Sequence, residues 1–103
     1  MKIIKCIAEK IREEIHDAEA YMDLAIEWKK EEPDAAEVFN ELAGEELKHM
    51  EKLHELVTGL IDDYKAQNGE PPAGMMMLYE YMHEQSKENA MRVKVKQEMY
   101  KEA

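Results

Sequence analysis

Two long amphipathic segments on either side of a proline constrain the fold of this chain most strongly. Apolar side chains recur at heptad spacing over residues 2–31 and again over residues 35–67. Pro33 lies between them and cannot continue a helical hydrogen-bond ladder, so the first helix must end before it. At about 1.5 Å per residue, each helix would be roughly 45 Å long. The sequence therefore predicts a long antiparallel helical hairpin.

A second break separates this hairpin from a third segment. Residues 68–74 read NGEPPAG, and the Asn-Gly and Pro-Pro pairs predict a linker there. Residues 75–101 have weaker helical periodicity and form the predicted third helix. At the hairpin turn, Asp34 is the predicted N-cap of helix 2, and Glu37 completes a capping-box pattern. We expect a single all-α domain over residues 1–103, in which the hairpin is covered by the third helix, by a second copy, or by both.

Composition narrows the classes of protein that fit the chain. The formal net charge of −10 disfavours nucleic acid and anionic membranes as partners. A single cysteine, Cys6, excludes an internal disulfide framework and is consistent with a reducing compartment; we place it on the apolar side of helix 1. No apolar run approaches the ~18 residues of a membrane span or forms a signal-peptide core. We therefore expect a soluble, cytoplasmic protein.

Residues that do not suit a core interrupt the apolar stripes of the hairpin. The heptad track of helix 2 contains Glu46 and His49, and that of helix 1 contains Glu14 and Tyr21. Burying an ionised carboxylate without a partner costs several kcal/mol, which is large against a domain stability of roughly 5–15 kcal/mol. A bound metal would compensate these groups. The alternative is a buried Glu/His hydrogen-bond network that fixes the register of a non-enzymatic helical interaction module.

The spacing of these residues favours the metal. Glu46 and His49 are three residues apart and share a helix face, so both can bind one ion, and Glu14 can approach it from the facing helix. A Glu on one helix with Glu-x-x-His on its partner is half of the ligand set of carboxylate-bridged di-iron bundles. The simplest completion is a homodimer whose two hairpins form a four-helix bundle around two iron ions. Glu19 competes with Glu14 for this role; we prefer Glu14 because Glu19 shares its track with Arg12, which should face solvent.

The motifs EEIHDAEAY (Glu13–Tyr21) and EELKH (Glu45–His49) resemble those of the ferritin-like superfamily. They are most similar to its short members that carry half a site per chain, such as the encapsulated ferritins, and the likeness covers residues 7–60. The resemblance implies a ferritin-like four-helix bundle formed by dimerisation. It also implies a ferroxidase-like or peroxidase-type oxidoreductase that oxidises Fe²⁺ with O₂ or peroxide, for iron handling or protection from oxidants.

By this resemblance, Glu14 and Glu46 would be iron ligands, with Glu46 bridging, and His49 would be the terminal nitrogen ligand. Tyr21 would donate a hydrogen bond to the ligands or act as a radical sink. Manganese or zinc fits the same ligand set.

The chain lacks the Cys₄ module of rubrerythrins. It ends at QEMYKEA without the Gly/Leu-rich tail that docks into an encapsulin shell, which puts a shell partner in doubt; an electron-donor protein would be another partner.

The remaining candidates are weaker. We expect His54 to be exposed, since it lies on a different face from His49. Glu80 and His83 repeat the Glu-x-x-His spacing in helix 3 but lack a well-placed partner Glu. The methionines at 75–77 are interpreted as adaptable packing rather than metal ligands.

Overall fold

Three helices account for almost the whole chain in the computed structural model, which describes residues 2–103. They are α1 (Lys2–Trp28), α2 (Pro33–Asn68) and α3 (Ala73–Glu102). The predicted all-α class is therefore confirmed. α1 packs against both other helices. The chain reverses at each short connection, so α2 is antiparallel to α1 and α3 runs parallel to α1 in a rod of 56 × 18 × 18 Å.

The hairpin turn differs from its prediction. α1 ends at Trp28, three residues earlier than expected, and α2 begins at Pro33. Proline suits the first helical position because the N–H that it lacks would have no helical partner there. The predicted capping box is wrong: Glu32 is the N-cap residue, and it makes no side-chain capping hydrogen bond. Asp34 instead lies in the first turn, where its charge complements the helix dipole.

The second connection is shorter than the predicted linker and spans only the residues between Asn68 and Ala73. Gly69 has a φ of 80°, a left-handed conformation that favours glycine, and its N–H donates to the carbonyl of Lys65 over 3.0 Å. This bond closes the last turn of α2. Pro71 and Pro72 cannot lie inside a helix, because proline lacks the N–H that the helical ladder needs. Pro72 is the N-cap residue, and α3 begins at the next residue.

The core is centred on α1, because helices cover it on two sides. Its buried residues are Ile4, Ile7, Ala8, Ile11, Ile15, Ala18, Met22 and Ala25. α2 buries fewer positions, and α3 buries only Ala90, Val93 and Tyr100. The prediction for Cys6 is wrong, since its side chain is exposed. The buried residues of α1 lie on the two faces that contact α2 and α3. Cys6 lies on neither of these faces.

Ion pairs attach α3 to one edge of α1. Arg92 donates from Nε and Nη2 to the two carboxylate oxygens of Glu19, over 3.2 and 3.1 Å. Lys96 Nζ lies 2.6 Å from Asp23 Oδ1 and 3.1 Å from Glu19 Oε2. A planar guanidinium that binds a carboxylate through two nitrogens has a defined geometry. These contacts therefore fix the register of α3 along α1.

The end of α3 is also tied to the hairpin turn. Tyr100 donates a 2.8 Å hydrogen bond from its hydroxyl to Glu37 in the first turns of α2. Lys29, just after α1, donates to the backbone carbonyl of Tyr100, and its ammonium lies 4.4 Å from the centre of the Tyr100 ring. One aromatic residue thereby joins all three helices at this end of the rod.

Candidate metal centre

Glu14 of α1 and Glu46 and His49 of α2 converge, as their spacing suggested. One ligand atom from each side chain lies within 4.8 Å of the other two. His49 Nδ1 is 3.6 Å from Glu14 Oε2 and 3.9 Å from Glu46 Oε2. Within residues 2–103, this is the one group of three or more His, Cys, Asp or Glu side chains with that property.

Core residues place the two carboxylates at the edge of the helix interface. Glu14 precedes Ile15, which is 2% exposed, and Glu46 precedes Leu47, which is 9% exposed. Neighbouring residues on a helix point about 100° apart, so burying the aliphatic residue turns each Glu to the border of the core. The Glu14 and Glu46 side chains are 12% and 18% exposed, whereas His49 is 57% exposed. The site is thus buried on its carboxylate side and open at the imidazole.

The separations within the group suit a bound cation better than hydrogen bonds. Both His49 distances exceed the usual N–H···O range of about 2.7–3.2 Å. Two ligand atoms that each lie about 2.1 Å from one ion are about 3.0–4.2 Å apart, depending on the angle between them. Glu46 Oε2 is moreover buried and has no hydrogen-bond partner. A buried oxygen without a partner is costly, and a cation placed between the three side chains would satisfy it.

Glu19, the competing helix 1 candidate, lies elsewhere. It is five residues from Glu14 and therefore about 140° around α1, where it contacts α3. The pKa of Glu19 lies below its ordinary value, chiefly because Arg92 donates hydrogen bonds to it. Burial acts in the opposite direction, and the hydrogen bond from Lys96 and the charges of both side chains lower the pKa further. Its two oxygens are occupied by these cations. Glu14 is therefore the α1 carboxylate that faces Glu46.

Tyr21 occupies the same side of α1 as Glu14 but makes an apolar contact. Its ring stacks on Phe39 of α2 with a centroid separation of 6.4 Å and an interplanar angle of 22°. Within residues 2–103, its hydroxyl makes no hydrogen bond to the three converging side chains. The structure thus places Tyr21 in the packing beside the centre, and its role toward the ligands stays a prediction.

Exposed apolar side chains continue the tracks of the converging residues. Trp28 lies two heptads after Glu14 and is 37% exposed; Leu56 lies one heptad after His49 and is 49% exposed. Val38, three helical turns before His49, is 53% exposed. We call the surface formed by Trp28, Val38, Leu56 and His49 the open face. α3 does not cover it, because α3 packs on the Glu19 edge of α1.

The sequence did not predict a contact between two histidines of α2 and α3. His54 is half-buried rather than exposed, and its ring stacks on that of His83 with centroids 4.8 Å apart and planes 11° from parallel. Burial first, then the charges of His54 and Lys87, lower the pKa of His83, while Glu84 acts in the opposite direction. Glu80 is exposed. The third-helix Glu-x-x-His spacing therefore does not assemble a site, and His83 pairs with α2 instead.

Comparisons of the chain with protein-family models, with curated proteins and with solved structures gave no match. The resemblance to the ferritin-like superfamily therefore rests on the two sequence motifs alone and stays a prediction. No helix within residues 2–103 has the length and apolar character needed to cross a bilayer.

Proposed function

We propose that Glu14, Glu46 and His49 form half of a dinuclear iron site, which a second copy of the chain completes to oxidise Fe²⁺ with O₂ or peroxide. The observation that carries this proposal is the buried, unpartnered Oε2 of Glu46 beside two further ligand atoms at cation-binding separations. A polar network alone, the non-enzymatic alternative, should have closed these gaps to hydrogen-bond length. The distances of 3.6 and 3.9 Å are longer than hydrogen bonds, which favours a cation between these side chains over direct contact.

The donor set suits a divalent first-row metal. Two carboxylates and one imidazole combine hard oxygen ligands with a nitrogen ligand that suits iron, manganese and zinc. The two negative charges balance one divalent cation per chain. Fe²⁺ is the substrate in this proposal: each of two ferrous ions gives up one electron, and the pair of electrons reduces O₂ with two protons to hydrogen peroxide, or peroxide with two protons to two waters. Glu46 and Glu14 would hold the ions through this change of charge.

A second copy is proposed because the half-site lies open on one side. Three protein ligands leave part of the coordination of an ion unfilled, and His49 points to the open face. Packing two open faces about a two-fold axis would bring two such half-sites together and bury Trp28, Val38 and Leu56. The resulting four-helix bundle would contain α1 and α2 from each chain. This is the arrangement in which carboxylate-bridged di-iron sites are built.

The test is anaerobic titration with Fe²⁺, followed by O₂ and measurement of near-ultraviolet absorbance from the ferric product. We expect two iron ions per dimer and rapid oxidation by the wild-type chain. Glu14→Gln should abolish rapid oxidation, because the neutral amide is a weak iron ligand. Glu27→Gln, which changes an exposed glutamate on the same helix, is the matched control, and it should oxidise Fe²⁺ at the wild-type rate.

Wild-type oxidation by Glu14→Gln, or by a Glu46→Ala/His49→Ala double variant, would refute the di-iron proposal. A chain that stays monomeric at micromolar concentration with iron bound would refute the shared site. Elemental analysis of protein purified without chelators distinguishes the manganese and zinc alternatives, since either metal in place of iron would overturn the assignment of substrate.

A further inference from the structure

A lysine of α1 lies beside the candidate metal centre. Lys10 Nζ is 3.7 Å from Glu14 Oε1 and 3.5 Å from Glu13 Oε2. Residues three and four positions apart are neighbours on a helix surface, so one ammonium reaches both carboxylates. Among residues 2–103, Lys10 is the only lysine or arginine that pairs with one of the three converging side chains. Glu14 therefore already has a cation beside it in the metal-free protein.

The two carboxylates of the centre differ in this respect. Glu14 has Lys10 Nζ on the side of Oε1 and His49 Nδ1, at 3.6 Å, on the side of Oε2. Glu46 pairs with no lysine or arginine among residues 2–103, and its Oε2 is buried without a hydrogen-bond partner. A cation that used both oxygens of Glu14 would have to displace the ammonium, whereas Glu46 is not contested.

Glu13 offers Lys10 a second partner outside the centre. The Lys10 and Glu13 side chains are 56% and 66% exposed, so the ammonium can move between the two carboxylates without repacking of the core. Exposed ion pairs contribute little to stability. A lysine four residues before its glutamate is moreover in the less favourable orientation on a helix. Lys10 can therefore leave Glu14 easily and keep its contact with Glu13.

We propose that Lys10 competes with the metal for Glu14 and pairs with Glu13 alone when the metal is bound. This inference rests on the proposed function, because it takes Glu14 as a metal ligand. Lys10 is then a positioning residue that lowers the affinity of the centre, since its positive charge opposes that of a bound cation. Glu13 offsets part of this opposition. In a protein that takes up Fe²⁺ and must release the ferric product, such a competitor keeps the ion exchangeable.

The test measures the affinity of the full chain for Fe²⁺ by anaerobic competition with a chromophoric ferrous chelator at low salt. Lys10→Gln should bind Fe²⁺ about three- to tenfold more tightly than wild type, because it removes a repelling charge that solvent only partly screens. Glu13→Gln should bind about two- to fivefold more weakly, because Lys10 then pairs with Glu14 alone. The difference between wild type and Lys10→Gln should narrow as salt is raised.

Two control variants separate the charge of Lys10 from other effects. Lys10→Arg keeps the positive charge and should bind Fe²⁺ as wild type does. Lys5→Gln removes an exposed lysine that lies on α1 beside residues of α3, away from the centre, and should also leave the affinity unchanged. A double-variant cycle then tests whether Glu13 acts through Lys10. Glu13→Gln should weaken binding less in the Lys10→Gln background than in the wild type.

The outcomes distinguish this inference from the proposed function. If wild type and Lys10→Gln bind Fe²⁺ equally well, the centre stands and the competition by Lys10 is refuted. Weaker binding by Lys10→Gln would also refute it, because Lys10 would then support Glu14 as a ligand. An equal effect of Glu13→Gln in both backgrounds would refute the transfer to Glu13. If no variant binds Fe²⁺ although circular dichroism shows each to be helical, the proposed centre fails and the inference fails with it.

Discussion

Replacing Glu46 by methionine should stabilise the metal-free protein, although it removes a proposed ligand. Glu46 Oε2 is buried without a hydrogen-bond partner, and such a group costs about 1–3 kcal/mol. Only one of the two oxygens is orphaned and the side chain keeps 18% exposure, so we take the lower end, about 1 kcal/mol. Methionine has a similar length and a comparable helix propensity. The expected rise in Tm is about 4–8 °C for a domain of this size.

Bound metal should make the wild-type protein more stable than the Glu46→Met variant. A ligand that binds only the folded state adds about 2.7 kcal/mol at a hundred times its Kd. Wild-type protein in anaerobic Fe²⁺ should then exceed the Glu46→Met variant by about 1.7 kcal/mol, whereas in excess chelator it should be less stable than the variant. Thermal unfolding followed by circular dichroism measures the stability of both proteins in Fe²⁺ and in chelator. The protein concentration is kept fixed, because a dimer gains stability by mass action.

Glu45→Met separates the effect of the buried oxygen from the effect of replacing a glutamate by methionine. Glu45 is the neighbouring, exposed glutamate, so Glu45→Met makes the same chemical change without removing a buried oxygen. Its effect should stay within about 0.5 kcal/mol in either condition. If Glu46→Met lowers Tm in chelator while Glu45→Met does not, then the Glu46 carboxylate stabilises the apoprotein, and the argument for an unsatisfied, metal-ready oxygen fails.

Three further outcomes follow from the structure. Tyr100→Phe should lose the hydrogen bond to Glu37 and about 0.5–1.5 kcal/mol of unfolding free energy, measured by urea denaturation; an unchanged midpoint would refute the bond. Because the folded pKa of Glu19 lies below its ordinary value of 4.5, its ion pairs stabilise the protein above that pH and are lost on acidification through the folded pKa. The Tm difference between wild type and Glu19→Gln should therefore be widest near neutral pH and narrow in acid; a constant difference would count against the ion pairs. If the proposed dimer forms through the open face, Leu56→Glu should leave helicity intact and give a monomer in light scattering; a dimer of unchanged size would place the interface elsewhere.

The sequence predicted the helices and the converging residues because both follow from helical spacing alone. Glu46 and His49 share a face whatever surrounds them, and burial of Ile15 and Leu47 then fixes where their neighbours point. The turn was predicted less well: a proline can stop one helix or start the next, and here Pro33 starts α2. The contacts of α3 could not be predicted, since the stacking of His54 on His83 depends on where α3 lies, and the weak apolar periodicity of α3 does not define that position.

The position of α3 bears directly on how two chains would meet. The hairpin has two sides on which another helix could bury apolar surface, and α3 occupies the one at the Glu19 edge through Arg92 and Lys96. Because these ion pairs hold α3 on that side, a second copy in the proposed dimer would pack on the open face, where His49 is exposed. In the proposed dimer, α3 would thereby exclude pairing of hairpins through the Glu19 edge, a role that unpaired charges often fill at interfaces. Replacing Arg92 and Lys96 together by glutamate should loosen α3 and produce mixed oligomers with less iron oxidised per chain. A single, fully active dimer in that variant would show that the open face selects its partner unaided.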